Sequence, residues 1–372
     1  MSKLTKYKFS DLYEMSSGIS SSKEQAGHGS PFISFSTVFN NYFLPEELPD
    51  LMDTSLKEQE IFSVKKDDVF ITRTSETVDA LAMSCVAVKD YPKATFSGFV
   101  KRLRPKTTGI VYSKYIAFFL RSKYFRKVLD CNTIMTLRAS FNEDMFSFLY
   151  LYLPDYEEQV RIGDLLYKME MKIRTNNKIN DNLAAMAYDI YMHTFFSKKP
   201  NAKLKDILTE AEKSSIQVGE AKISNGKYPF FTSGSTILKW NEPFVDGRNC
   251  FLNTGGNADV KFYVGKAAYS TDTWSVSAKS EMSDYLYLML FSIKPELDQK
   301  FFQGTGLKHL QKPLLKDRPI YVPEKMELEV FNRQVMPMFD IISENTRENQ
   351  QLTSLRDWLL PMLMNGQATI SD

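Results

Sequence analysis

Apolar residues recur along two long stretches of this chain at alternating steps of four and three. In the first stretch Ile162, Leu166, Met169, Ile173, Asn176, Asn180 and Leu183 keep the rhythm, and Ile190 follows one heptad later. In the second, Phe331, Val335, Met338, Ile342, Asn345, Asn349 and Leu352 keep it, and Leu359 takes the place of Ile190. Such spacing is the seam of a helix packed on another helix. A constant shift, 320 − 151 = 169 residues, carries every position of the first stretch onto the second. It also places Leu151-Tyr152-Leu153-Pro154 on Ile320-Tyr321-Val322-Pro323, Thr136-Leu137-Arg138 on Thr305-Gly306-Leu307, and Phe141 on Leu310. The chain is therefore two copies of one unit, each a globular segment followed by a long helix, and a repeat of this kind fixes the architecture before any other signal.

The pattern between the seams completes the division. Residues 1–153 read as a mixed domain, with strands expected at Pro31–Phe35, Asp68–Arg73 and Ser84–Val88, each rich in β-branched or aromatic residues. Tyr112 to Leu129 carries a period near 3.6 and predicts one helix. Pro154 opens a helix of about forty residues, with Asp155, Glu157 and Glu158 suited to its positive end. Residues 154–198 form this central helix, 199–322 a second globular segment, and 323–372 a last helix that Gly366 ends. Leu204-Lys205-Asp206-Ile207 matches Phe9-Ser10-Asp11-Leu12, Tyr228–Thr232 matches Ser30–Ser34, and Cys250–Thr254 matches Val69–Arg73. The fold class is α+β: two pseudo-repeated globular domains joined by two long antiparallel helices. Forty residues at 1.5 Å each span about 60 Å, longer than a small domain is wide, so the helices are expected to pack on each other. Arg356 interrupts the second seam and Pro337 lies within its helix, where local distortion is expected.

Composition narrows the class. Hydrophobic and charged fractions of 43% and 25% exclude a disordered chain. No apolar run reaches the roughly 18 residues of a membrane span, and the first residues lack the apolar core of a signal peptide. Three scattered cysteines, Cys85, Cys131 and Cys250, point to a reducing interior such as the cytoplasm. The net charge of +2 hides an uneven distribution. From Lys89 to Arg138 twelve Lys and Arg face two acids, Asp90 and Asp130, whereas Pro323 to Asp372 holds four basic and eight acidic residues. A basic stretch attracts phosphate backbones, and equally serves as a plain solvated face.

Catalytic motifs are missing. Gly255-Gly256-Asn257 and Gly304-Thr305-Gly306 lack the spacing of phosphate-binding loops, and no nucleophile elbow or His-Glu-x-x-His occurs. With three histidines and no Cys/His ligand spacing, no metal site is expected. A long chain without such a constellation reads as a binding protein.

The repeat and its motifs together resemble the specificity subunit of type I restriction-modification systems. Leu151–Pro154 with Glu157-Glu158-Gln159, Ile162, Leu166 and Asn176-Asn177-Lys178-Ile179-Asn180 is similar to that family's central conserved region. Tyr321-Val322-Pro323 through Asn345, Asn349 and Leu352 is similar to its second conserved region, Asp68–Arg73 to its strand motif G-D-(ILV)-(ILV)-x-x-(RT), and Thr305–Leu310 to a loop before the last strands of a recognition domain. Two departures stand out: Asp67 replaces the usual glycine, and Glu327-Leu328-Glu329 replaces the Glu-Gln pair. The resemblance implies two target-recognition domains, each reading half of a split duplex DNA sequence. It also implies two modification subunits on the helices that carry S-adenosylmethionine, possible restriction subunits that use ATP and magnesium, and no cofactor or activity on this chain. Base and backbone contacts favour Arg, Lys, Asn, Ser and Thr. The expected DNA-facing residues are Arg73, Thr74, Lys101, Arg102, Arg104 and Arg138 in the first domain, and Lys227, Ser233, Ser235, Asn253, Thr271, Lys308 and His309 in the second. Trp240 and Trp274 are expected in the core. A coiled-coil scaffold that reads only proteins is the competing class, and an enzyme with an unrecognised site a weaker one.

Overall fold

A computed structural model describes residues 4–20, 22–77, 80–132 and 139–370. It divides into two compact units, one holding residues up to Met171 together with those from Leu352, the other holding Lys172–Gln351. The division cuts through both long helices, Tyr156–Thr194 and Lys325–Met364, so each unit owns a stretch of each.

The two units share one strand order. In the first, the strands Tyr13–Ser17, Val100–Pro105, Val69–Thr72 and Ser84–Val86 lie side by side, antiparallel throughout. In the second, Leu208–Glu210, Thr273–Ala278, Arg248–Asn253 and Val260–Val264 repeat the same sequence of neighbours. A three-stranded sheet accompanies each: Asp50–Met52, Ala26–Ile33 and Thr95–Phe96, against Leu238–Trp240, Tyr228–Phe231 and Ala268–Tyr269. In both, the middle strand runs antiparallel to the first and parallel to the third. Short antiparallel ribbons, Thr5–Lys8 with Tyr150–Leu153 and Ala202–Lys203 with Pro319–Ile320, close each domain before its long helix. The sequence matches hold in register: Phe70 pairs with Arg102 as Phe251 pairs with Ser275. Phe141 donates its N–H to the Arg73 carbonyl as Leu310 does to that of Thr254.

Two expected elements differ. The strand expected over Pro31–Phe35 is Ala26–Ile33, after which Ser34 caps a helix, Phe35–Asn40. The helix foreseen over Tyr112–Leu129 is two, Ser113–Phe119 and Lys123–Asn132. The Ser122 hydroxyl bonds the Phe119 carbonyl at 2.6 Å and accepts the Phe125 N–H at 3.2 Å, ending one helix and capping the next. Arg121, freed by the turn, donates to the carbonyls of Ser84, Val38, Phe39 and Asn41.

Within each unit the long helices run antiparallel. In the second, Asn176 reaches Glu348 at 2.7 Å and Asn349 at 2.9 Å, Asn345 reaches Asn180 at 2.8 Å, and Lys198 pairs with Glu327 at 2.8 Å. In the first, Arg356 pairs with Glu170 at 3.1 Å and lies 5.1 Å from the Tyr42 ring centre. The residue that breaks the apolar seam is thus satisfied by an acid and an aromatic face. The helix passes through Pro337 and Pro361 without interruption. Ile162, Leu166, Phe331 and Val335 are buried on their own domains, while Met169, Ile173, Leu183, Met338, Ile342 and Leu352 are half-buried. No helix among the described residues is long and apolar enough to cross a membrane.

Both departures from the motif have a local cause. Asp67 sits at φ +70°, a conformation that glycine adopts freely and Asp tolerates, and its carboxylate accepts the Ser113 hydroxyl. In the first unit Gln159 is 1% exposed, donates to the carbonyls of Pro154 (2.9 Å) and Ile110 (3.0 Å), and accepts the Tyr112 N–H at 2.9 Å. Four residues on, a Cβ added to Gly163 would lie 2.8 Å from the Tyr115 nitrogen, so only glycine lets this helix lie so close to the domain. The second copy places Leu328 and Asn332 at those two positions, and Asn332 donates to the Glu281 carbonyl at 2.9 Å.

Giving the first copy the residue of the second, Gln159→Leu, strands one buried and two part-buried polar groups. At about 1–3 kcal/mol for each group left unpaired, urea unfolding of the first unit moves to clearly lower concentration while that of the second stays in place. An unmoved first transition contradicts the role given to Gln159.

Candidate nucleic acid interface

The candidate surface of the first unit lies where the all-buried strand Val69–Thr72 hands over to Arg73. Arg73 is exposed; its N–H bonds the Phe99 carbonyl at 2.9 Å and its guanidinium approaches the Gly98 carbonyl at 3.5 Å. Thr74 follows, half-buried and paired with Ser140. The other basic candidates turn inward. Lys101 is buried and donates to Ser17 at 2.9 Å and Glu143 at 3.2 Å. Arg102 is buried, donates to the Ser63 carbonyl at 2.6 Å and lies against the Phe96 ring. Arg104 grips the fully buried Asp68 through two bonds, 2.7 and 2.6 Å. Asp68 in turn accepts the Lys65 N–H at 2.7 Å and holds the turn before its strand. Arg138 lies outside the described residues.

The basic stretch is therefore less of a surface than its sequence implies. Arg121 and Arg126 bind backbone carbonyls, and Lys114 pairs with Asp164 at 2.8 Å. Lys89, Lys93, Lys106, Lys123 and Lys127 remain exposed. Guanidinium groups with five donors are suited to gathering the loose carbonyls of a turn-rich domain, and composition alone does not separate that use from a phosphate-binding one.

In the second unit the equivalent end of the sheet is built from four tied loops. Asn253, buried, donates to the carbonyls of Ser233 at 2.9 Å and Asn257 at 3.1 Å. Lys261 donates to the carbonyls of Thr232 and Gly234, both at 2.6 Å, and burial pulls its ammonium below the usual lysine range against the opposing pull of Asp259. Lys308 pairs with Asp298 at 3.1 Å, while its carbonyl accepts the Gly256 N–H. His309 is exposed and bridges Gly255. Thr271, half-buried, and His309 line one cleft of about 570 Å³ with Thr254, Asp272 and Lys312. Ser235 and Lys227 are exposed, Lys227 lying 5.1 Å from the Tyr228 ring centre. The loops thus bring together Ser233, Asn253, Thr271, Lys308 and His309, with Asn253 acting inside the scaffold. Trp274 is buried as expected, its indole N–H on Glu210 at 2.9 Å and Lys312 4.9 Å above its ring, whereas Trp240 is half-buried.

Sequence reasoning passed over Lys261, Lys312 and Phe99. Lys261 and Lys312 carry no local motif; only the tertiary fold puts one among carbonyls and the other over an indole. Phe99 is 66% exposed, and its signal in the sequence is the Ser97-Gly98 turn that precedes it. No group of three His, Cys, Asp or Glu among the described residues is placed to hold a metal ion.

Known proteins share this repeated architecture. The model of the type I restriction modification DNA specificity domain matches residues 1–185 and again 198–354, one match per copy of the repeat. The chain is 20% identical to the type I restriction enzyme MjaIX specificity subunit of Methanocaldococcus jannaschii, with 98% of this chain and 93% of that one covered. It is 22% identical to the HindI specificity subunit of Haemophilus influenzae, with 90% and 94% covered. The crystal structure of a type I restriction-modification S subunit from M. genitalium superposes with a TM-score of 0.66 at 13% identity, over 97% of this chain and 96% of that one. The chain belongs to the type I restriction modification DNA specificity family.

The placement of the two arginines separates their roles. Arg104→Met leaves Asp68 buried without its partner and costs the first unit about 3–5 kcal/mol in urea unfolding. Arg73→Met, at an exposed site, changes stability by no more than about 0.5 kcal/mol. Equal stability losses in the two variants contradict this division.

Proposed function

We propose that this type I specificity subunit recognises a split, asymmetric duplex DNA sequence. Each unit reads one half, and the long helices position two modification subunits. The observation that carries the reading is one strand order built twice, with different chemistry at the same end of each sheet. Arg73 and Phe99 stand in the first unit where Thr254 and Asp272 stand in the second, and Lys101 and Glu143 where the second has Trp274 and Lys312. A constant scaffold with exchanged surface groups gives two domains different base preferences. S-adenosylmethionine, and ATP with magnesium where a restriction subunit joins, belong in this reading to the partner subunits; the chain itself contributes recognition without catalysis, in the cytoplasm of a bacterium or archaeon.

A scaffold that reads only proteins would bind its partners equally well, and salt separates the two. Phosphate contacts lose affinity steeply as salt rises, at about 0.9 of a log unit per contact for each log unit of salt. The direct test is methylome sequencing of a host that expresses this chain with its modification subunit, against a host lacking only this chain. A split methylated motif that disappears with the deletion is the expected result. Unchanged methylation, with the chain folded and bound to its partner, rules the reading out in favour of the scaffold.

A further inference from the structure

We propose that Phe99 is a wedge that the first unit inserts between two base pairs of its half-site, with Arg73 beside it as the polar anchor. The inference rests on the DNA-recognition reading above and adds to it a contact that a list of polar residues does not contain.

The ring is more exposed than any other aromatic among the described residues, 66%, yet the backbone under it is fixed on every side. Ser97 donates its N–H to the Ile33 carbonyl at 3.0 Å, and Gly98 to that of Ile19 at 2.7 Å. The Phe99 N–H bonds the Ser97 hydroxyl at 3.2 Å, and its carbonyl accepts the Arg73 N–H at 2.9 Å. A Cβ on Gly98 would lie 3.0 Å from the Ile19 carbonyl oxygen, so glycine is what lets the two segments close beneath the ring. An aromatic presented to water on so fixed a backbone gains nothing from the domain's own core, and burial in a partner would recover the apolar surface it leaves exposed.

The second copy of the repeat serves as an internal control. Asp272 occupies the equivalent position, its carbonyl accepting the Thr254 N–H at 3.0 Å as the Phe99 carbonyl accepts that of Arg73. The scaffold therefore closes equally well with a small acid there, and the phenyl ring is not a packing requirement. Its neighbours indicate the occupant. The Arg73 guanidinium lies 3.5 Å from the Gly98 carbonyl, which places a cation with planar donors at the foot of the ring, and the half-buried Thr74 and Ser75 continue the edge. Apolar side chains that enter a base step partly unstack it and kink the duplex, with flanking cations holding the strands.

The test uses the whole chain with its modification subunit and duplexes carrying the methylated motif, with 2-aminopurine placed in turn at each position. Wild type is expected to brighten the probe several-fold at one step of one half-site. Phe99→Ala, at a site too exposed to disturb folding, should lose that signal and bind about tenfold to a hundredfold more weakly with an unchanged salt slope, while Phe99→Trp keeps both. Wild-type affinity and brightening in Phe99→Ala overturn the proposal. So does weaker binding by Phe99→Ala when wild type brightens no position, because the ring then rests against a groove wall. Failure of Phe99→Ala to retain the modification subunit overturns it in favour of a protein contact. If wild type itself distinguishes no duplex, the recognition reading falls and the wedge falls with it.

Discussion

Each unit depends on the antiparallel contact between its stretches of the two long helices. A helix of 39 or 40 residues carries an apolar stripe too long for one small domain to cover. Each unit covers its share twice over, with Ile162 and Leu166, or Phe331 and Val335, set into the domain core and polar groups along the helix pair. The asparagines show how the pair is aligned. The repeat maps Asn176 onto Asn345 and Asn180 onto Asn349, and the Asn176–Asn349 and Asn345–Asn180 bonds exchange under that mapping. Two helices related by a local two-fold axis behave this way. A slip of one turn would leave these amides unpaired in a half-buried seam, so they set register at some cost in stability.

Domain attachment follows from the same helices by two different chemistries. Gln159 and Gly163 let the first helix approach its domain closely through backbone bonds. In the second unit Asn332 stands at the place of Gly163 and bonds the Glu281 carbonyl, and farther along the helix Arg248 adds a tie, bound to Asp284 at 2.6 Å and also to Asp340 of the long helix. Burial pushes the Asp284 carboxyl up to about 7 against the opposing pull of Arg248, which marks how dry that junction is. One scaffold therefore tolerates an amide-and-glycine joint in one unit and an ion-pair joint, farther along its helix, in the other.

How much of this was legible follows from where each signal resides. The long helices, the repeat and the strand matches were readable because periodicity and register are local and doubled. The break at Ser122 was not, because the flanking apolar positions keep a helical period through it, and only the carbonyls that Arg121 reaches make the turn worthwhile. The basic stretch misled for a related reason. Lys101 lies on one face, and Arg102 and Arg104 on the other, of a strand whose first four residues are buried, so their charges go to Glu143, the Ser63 carbonyl and Asp68. The exposure of Arg73 was readable because it ends its strand, whereas Phe99 resembles a core residue until the turn beneath it is seen.

The central claim is that two units of one fold each read their own half of a target. It is tested most directly by replacing residues 199–322 with the corresponding segment of another member of the family and sequencing the methylated motif. The account predicts that one half of the split motif changes to that of the donor while the other half is retained. A change in both halves, or a motif left intact by the exchange, would contradict it.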